Sequence, residues 1–259
     1  MNINKIFLTV SLNTIILIVL GAISNVSYAV SLSTYKIHLD QKKRNYDFII
    51  YNQGDYRQRC ELSLRPFTLD KTGLSRLLPN GEVPENSADE LLRFSPQTFE
   101  ADIGKPQNVK FKLRIKRGIE SHEYRSYLSI KCQDIKSYVK KSTQTAMKVE
   151  PLIVQNIPIV ARVGRAKYEL TFSELAINNN SMSVNFNKTG IYSTYGKLTL
   201  INRDSQDVVG KIDLIQMPIE AKSNVITMNF TGDGSDPLQL IYQESENYLQ
   251  SKTLKININ

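Results

Sequence analysis

From Val109 to Lys116 the chain alternates strictly: Val109, Phe111, Leu113 and Ile115 are apolar, while Lys110, Lys112, Arg114 and Lys116 are cationic. A repeat of two puts successive side chains on opposite faces of an extended strand, so this segment is half buried, with one apolar and one charged face. The segment from Glu123 to Cys132 repeats the pattern. Tyr124, Leu128, Ile130 and Cys132 share one phase, and Arg125, Tyr127 and Lys131 share the other. Further strands are expected at 33–39, 45–52, 58–65, 92–95 and 148–162, with turn formers such as Asn52-Gln53-Gly54, Pro79-Asn80-Gly81 and Ile103-Gly104 between several of them. Seven strands with no convincing amphipathic helix favour a sandwich. The polar stretch from Asp70 to Glu90 reads as a surface loop, with room for one helical turn at Ala88 to Leu92.

The pattern restarts near Val163-Gly164-Arg165. Alternation returns at Tyr168, Leu170 and Phe172, at Met182, Val184 and Phe186, and at Leu198 and Leu200. It continues at Ile212 and Leu214, at Ile226, Met228 and Phe230, at Leu238 and Leu240, and at Leu254, Ile256 and Ile258. The chain is therefore expected to be all-β, with one domain over 30–163 and a second over 164–259. No repeat of 20 to 50 residues links the halves, which argues against a solenoid or propeller.

At the amino terminus Lys5 precedes an apolar run from Ile6 to Ile23, and Ser27-Tyr28-Ala29 supplies the small residues of a signal-peptidase site. Residues 1–29 are thus expected to be a signal peptide cleaved after Ala29. Ser11, Asn13 and Thr14 interrupt the run and argue against a spanning helix, so no membrane segment is expected after cleavage. Export makes the two cysteines interpretable, because disulfides persist in oxidising compartments. Cys60 shares its phase with Leu62 and Leu64, and Cys132 shares its phase with Ile130 and Leu128, so a structural disulfide between them is expected. The formal charge of +8 falls to +7 without Lys5. No nucleic-acid recognition motif accompanies that excess, and export argues against such a partner; an acidic partner or anionic lipid fits better.

Five phrases carry a family resemblance. In the first half they are Ser95-Pro96, Pro106-Gln107-x-Val109 and Glu123-Tyr124-Arg125-Ser126-x-Leu128. Ile157-Pro158-Ile159-Val160-Ala161-Arg162-x-Gly164 lies at the junction, and Lys188-Thr189-Gly190-x-Tyr192-Ser193-x-Tyr195-Gly196 lies beyond it. Together they resemble the periplasmic, PapD-like chaperones of chaperone-usher pili, in an alternative branch where the last phrase more usually begins Arg-Ser-Gly. The resemblance spans nearly all of the chain after residue 29.

The resemblance implies two immunoglobulin-like sandwich domains set at an angle, a periplasmic location, and no chemistry and no cofactor. It implies a protein that caps pilus or fimbrial subunits and delivers them to an outer-membrane usher by donor-strand complementation, a form of β-strand addition. Here the lending strand would lie between Lys148 and Arg162. Ile153, Ile157 and Ile159 would face the subunit, and Leu152, Val154 and Val160 would belong to the chaperone's own core. Proline at 151 and 158 suits an edge strand. The subunit's terminal carboxylate would be held by Lys36, where the family usually has Arg, and by Arg162. Glu123, Tyr124 and Arg125 would be structural, fixing a loop or neighbouring strand through hydrogen bonds. Without a subunit, two copies of the chain could cap one another as a dimer.

Enzymatic readings have little material. Ser137-x-x-Lys140, Ser183-x-Asn185 and Lys188-Thr189-Gly190 imitate the motifs of penicillin-binding serine enzymes, but the last two almost touch and the first sits in a polar loop. His38 and His122 lie far apart, and Asp233-Gly234-Ser235-Asp236 is too short for a calcium loop, so no metal is expected. The competing class is an exported carbohydrate-binding or adhesive sandwich. Such sites favour aromatic platforms, and the chain has 13 Tyr but no Trp.

Overall fold

The period-two segments pair into facing sheets in the computed structural model, which describes residues 30–70, 74–78, 82–135, 152–165, 168–232, 234–245 and 253–258. The expected leader, the Lys-rich run 136–148 with Ser137 and Lys140, and Asp233 lie outside the described residues. In chain order the first half contains β1 (Val30–Leu32), β2 (Ile37–Asp40), β3 (Asn45–Asn52), β4 (Gln58–Arg65), β5 (Phe67–Leu69) and β6 (Ser75–Leu77). It continues with β7 (Leu92–Ser95), β8 (Thr98–Ala101), β9 (Pro106–Leu113), β10 (His122–Asp134) and β11 (Val154–Val163).

One sheet has the order β1-β3-β9-β7 and the other β2-β11-β10-β4-β8, with β5 and β6 forming a separate hairpin. The strand expected over 33–39 begins only at Ile37, as β2, and a separate short strand, β1, precedes it at Val30–Leu32. β1 pairs with β3 in one sheet and β2 pairs with β11 in the other, so the chain changes sheets between them. The hairpin β5-β6 and the strand β8 were not legible as period-two segments, being only three or four residues long. The expected helical turn is present as one turn, closed by the Leu92 amide donating to the Ala88 carbonyl at 3.0 Å.

Phe48, Val109, Phe111 and Leu113 from the first sheet meet Cys60, Leu62, Leu128 and Ile130 from the second in one core. The aliphatic and aromatic side chains among these each contribute about 1.5 to 3 kcal/mol when fully buried. Cys60 and Cys132 stand directly opposite on β4 and β10 and are joined by a disulfide, with Cα atoms 4.1 Å apart.

The second half contains β12 (Glu169–Asn178), β13 (Ser181–Thr189), β14 (Thr194–Asn202), β15 (Val208–Met217), β16 (Ser223–Asn229), β17 (Leu238–Glu244) and β18 (Thr253–Ile258). Sheets β12-β13-β16 and β15-β14-β17-β18 enclose a second core around Phe186, Leu198, Leu200, Leu240 and Tyr242. The register of β15 against β14 slips between Gly196 and Leu198, where one extra residue enters β15. That bulge explains why Leu214, expected inside, is exposed while Ile215 and Met217 are buried. No described strand pairing joins the sheets of the two halves. Between them Gly164 adopts φ +79°, a left-handed conformation that suits glycine, with Ser121 packed where a side chain would stand.

Candidate functional site: a half-open strand edge and a cationic cleft

β11 pairs with β10 along its whole length, from His122 opposite Val163 to Lys131 opposite Val154, with no shift in register. Its other edge is only partly covered. β2 runs parallel to it from Ile159 to Arg162, and no described strand lies beside Val154–Pro158.

Three observations identify which main-chain groups face that gap. The short Cα separation of Cys60 and Cys132 marks a pair that exchanges no main-chain hydrogen bonds, so the amide groups of Cys132 turn toward the β11 side. On β4, the Leu62 amide donates to the Gln97 carbonyl on the β8 side, as this phase requires. On β10, Arg125 accepts from the Ala88 amide and donates to the Asn86 carbonyl, both away from β11. Arg125 stands opposite Val160, so by alternation Val154, Asn156, Pro158 and Val160 aim their main-chain groups at the β2 edge. The open stretch therefore presents the N–H and C=O of Val154 and Asn156; Pro158 has no N–H, and in this phase its C=O faces Ile37 at the start of β2.

The side-chain facing corrects the sequence reading. Ile157 and Ile159, expected to point toward a subunit, are 4% and 0% exposed and belong to the first core. Directly opposed residues on neighbouring strands share a face, and Ile157 stands opposite Leu128, itself in the core. The uninterrupted register carries Ile159, Ala161 and Val163 inward with it. The outward row is Val154, Asn156, Pro158 and Val160, so Val154 and Val160, expected inside, change places with the isoleucines. Val160 is covered, but it lines the cleft described below and lies outside the core cluster. Ile153 precedes β11 and is exposed at 46%, beside Leu152 at 46% and Val154 at 41%, an apolar cluster at the start of the open edge.

The covered end of β11 meets the second half of the chain. Glu123, opposite Arg162, is wholly buried and accepts from Arg162 Nε at 3.0 Å, from the Ser193 amide at 3.1 Å and from Ser193 Oγ at 2.9 Å. Arg162 also donates to the Ser193 carbonyl, and its guanidinium lies 4.6 Å from the Tyr192 ring centre. Arg125 reaches across to Glu220, donating from Nη1 at 3.2 Å and also from Nη2. Burial alone would raise the Glu123 carboxyl, but Arg162, the Ser193 hydrogen bonds and Arg125 together hold it below the usual carboxylate range. The expected structural role of Glu123 and Arg125 thus extends beyond the 86–88 loop to the seam between the halves. Tyr124 packs in the first core and its hydroxyl donates to the Glu120 carbonyl at 3.2 Å.

In front of this seam lies a cleft of about 220 Å³ lined by Lys36, Glu123, Arg125, Val160, Ser193 and Gln216 among others. Lys36 is pushed down to about 8, first by burial and then by Arg162 and Arg125, against the opposing pull of Glu123. Its ammonium lies 4.6 Å from the Tyr195 ring centre. Lys188, which feels both Glu123 and Glu220, is lowered too, chiefly by burial. His38 is held at about 3 by burial and by Lys36, Arg162 and Lys43, so it is neutral near pH 7. Lys36, Arg125, Arg162 and Lys188 outnumber Glu123 and Glu220, and the cleft carries positive charge poised for an anion. The two expected anchor residues do not form an open two-cation grip. Arg162 is 3% exposed and committed to Glu123 and Ser193, which leaves Lys36 as the cation at the mouth. The opposing Glu123 on the neighbouring strand was the signal in the sequence, but only the register made the pairing visible.

No family model matches the chain, and no curated protein matches it in sequence. It is similar to the class 5 fimbriae chaperone CfaA at 14% identity and TM-score 0.49, covering 88% of this chain and 98% of that one. A chain from the complex of Salmonella enterica SafA pilin with the SafB chaperone is 11% identical, with TM-score 0.47 and coverage of 91% and 99%. A chain from the CsuC-CsuE chaperone-tip adhesion subunit complex of Acinetobacter baumannii is 7% identical, with TM-score 0.45 and coverage of 88% and 97%. Likeness at these identities and scores bears on neither activity nor partners; the architecture rests on the strand pairing itself.

Proposed function

We propose that the protein is an exported chaperone of the chaperone-usher kind, which lends the open edge of β11 to a pilus or fimbrial subunit lacking a strand. The observation that carries this reading is that β2 covers β11 only from Ile159 onward, which leaves the second edge of Val154–Ile157 without a described neighbouring strand, beside an apolar cluster and leading into a cationic cleft. An incoming strand would pair with the main-chain groups of Val154 and Asn156, while Leu152 and Val154, both exposed, enter the groove of the subunit. Each apolar side chain so buried contributes about 1.5 to 3 kcal/mol. Lys36 would receive the terminal carboxylate of the subunit, with Arg162 held behind the cleft in its pair with Glu123. The sequence resemblance supports a periplasmic site of action, removal of residues 1–29, and delivery of the captured subunit to an outer-membrane usher.

The test is co-expression with a fimbrial subunit and capture from the periplasm. Val154→Asp should leave the chaperone folded and abolish capture, because the new charge sits on the lent face. Ile157→Asp should instead unfold the first domain, since it places a carboxylate in the core. Capture that survives in a folded Val154→Asp variant would refute the reading.

A further inference from the structure

The outer face of β9 lies on the sheet opposite to β11 and has no part in strand lending. Lys110, Lys112 and Arg114 stand exposed along it, and none of them has an ion pair among the described residues. β7 places Arg93 directly opposite Lys112, and Arg93 is oriented by donating from Nη1 to the carbonyls of Leu92 at 2.7 Å and Glu90 at 3.3 Å. Across the other side, Asp47 stands opposite Lys110 and neutral Asn45 opposite Lys112.

Like charges set directly opposite on neighbouring strands destabilise a sheet. The other sheet of the same domain does the reverse. Lys131 stands opposite Glu61 with their charged atoms 3.7 Å apart, and Arg59 stands opposite Glu100 at 3.1 Å. One face is thus charge-matched, and on the other Arg93, Lys110, Lys112 and Arg114 outnumber the single opposed carboxylate of Asp47. Beneath the cationic face, Phe111 packs against Phe48 and Phe94, giving it a firm floor. At its far end β3 adds exposed Tyr51 and half-buried Ile49.

We propose that this face docks on an anionic membrane surface. The unpaired lysines are compact, hydrated point charges, suited to the diffuse field of phosphate headgroups and not to the planar, bidentate capture of a protein carboxylate. Arg93, which has the fork for such capture, is turned onto carbonyls of its own segment. Tyr51 has the apolar body and polar tip that suit the headgroup level. The proposal is independent of strand lending, because β11 remains uncovered when the β9 face is occupied.

The experiment is sedimentation of the protein with vesicles of phosphatidylcholine alone or mixed with phosphatidylglycerol, using protein isolated from the periplasm and checked by mass for its amino terminus. Retention is expected only with phosphatidylglycerol. It should vanish between about 0.01 M and about 1 M salt, as the screening length falls from roughly 30 Å to roughly 3 Å. Lys110→Glu with Lys112→Glu should weaken retention about thirty-fold or more. Lys197→Glu with Lys255→Glu, the same charge change on the other half of the chain, should retain most of it. Lys112→Glu alone should melt at a higher temperature than the wild type, since it gives Arg93 an opposite charge. Equal retention on both vesicle types, or by the β9 double variant, overturns the proposal. Absence of retention at low salt overturns it too.

Discussion

Replacing Glu123 by Ala should weaken the seam between the two halves more than any other single carboxylate removal. The side chain is fully buried and accepts three hydrogen bonds, one from Arg162 and two from Ser193, so the change strips charge-assisted contacts from both halves at once. The larger effect falls on what remains. Arg162, its side chain 4% exposed, would keep its charge beside Arg125 and Lys36 with the opposing carboxylate gone. Removing one partner of a buried pair costs about 3 to 5 kcal/mol. At a urea slope of roughly 2 kcal/mol per molar, the unfolding midpoint should fall by about 2 M. Tyrosine fluorescence and far-ultraviolet circular dichroism report the transition, since the chain has 13 Tyr and no Trp. Because Ser193 belongs to the second half, the variant should also separate one transition into two. Adding Arg162→Leu should recover most of the loss, because the stranded charge is then absent. A single variant that loses less than about 1 kcal/mol, or a double variant whose losses simply add, would refute this account of the seam.

Three further outcomes rest on the cleft and the core. Lys36 is depressed from 10.5 to about 8, so between these values the unfolded chain holds more protons than the folded one, and stability without an anion should rise with pH across that window. A bound carboxylate needs Lys36 protonated, so subunit affinity should instead fall as pH climbs past about 8, which a binding titration at several pH values would register. Cys60→Ser with Cys132→Ser opens a loop with a sequence separation of 72, and loop entropy assigns that bond about 4 kcal/mol. The urea midpoint should drop accordingly, and reductant should lower the wild type but not the variant.

The period-two pattern determined the all-β class, the restart after Gly164, and the inward facing of Val109, Phe111, Leu113, Leu128 and Ile130; together with the export signal and a count of two cysteines it also paired Cys60 with Cys132. In each of those strands one phase is apolar and the other polar, so alternation and facing are the same information. β11 is different. Ile157 and Ile159 stand in one phase and Val154, Pro158 and Val160 in the other, and a strand apolar on both sides carries no mark of which side is the core. Only its register against β10 decided that, by placing Ile157 opposite buried Leu128. The open edge was likewise beyond the pattern, because it depends on where β2, over a hundred residues earlier, begins. The fate of Arg162 followed from distance as well: its partners Glu123 and Ser193 lie 39 and 31 residues away, and a charge in a strand is silent about what will bury it until the chain is folded.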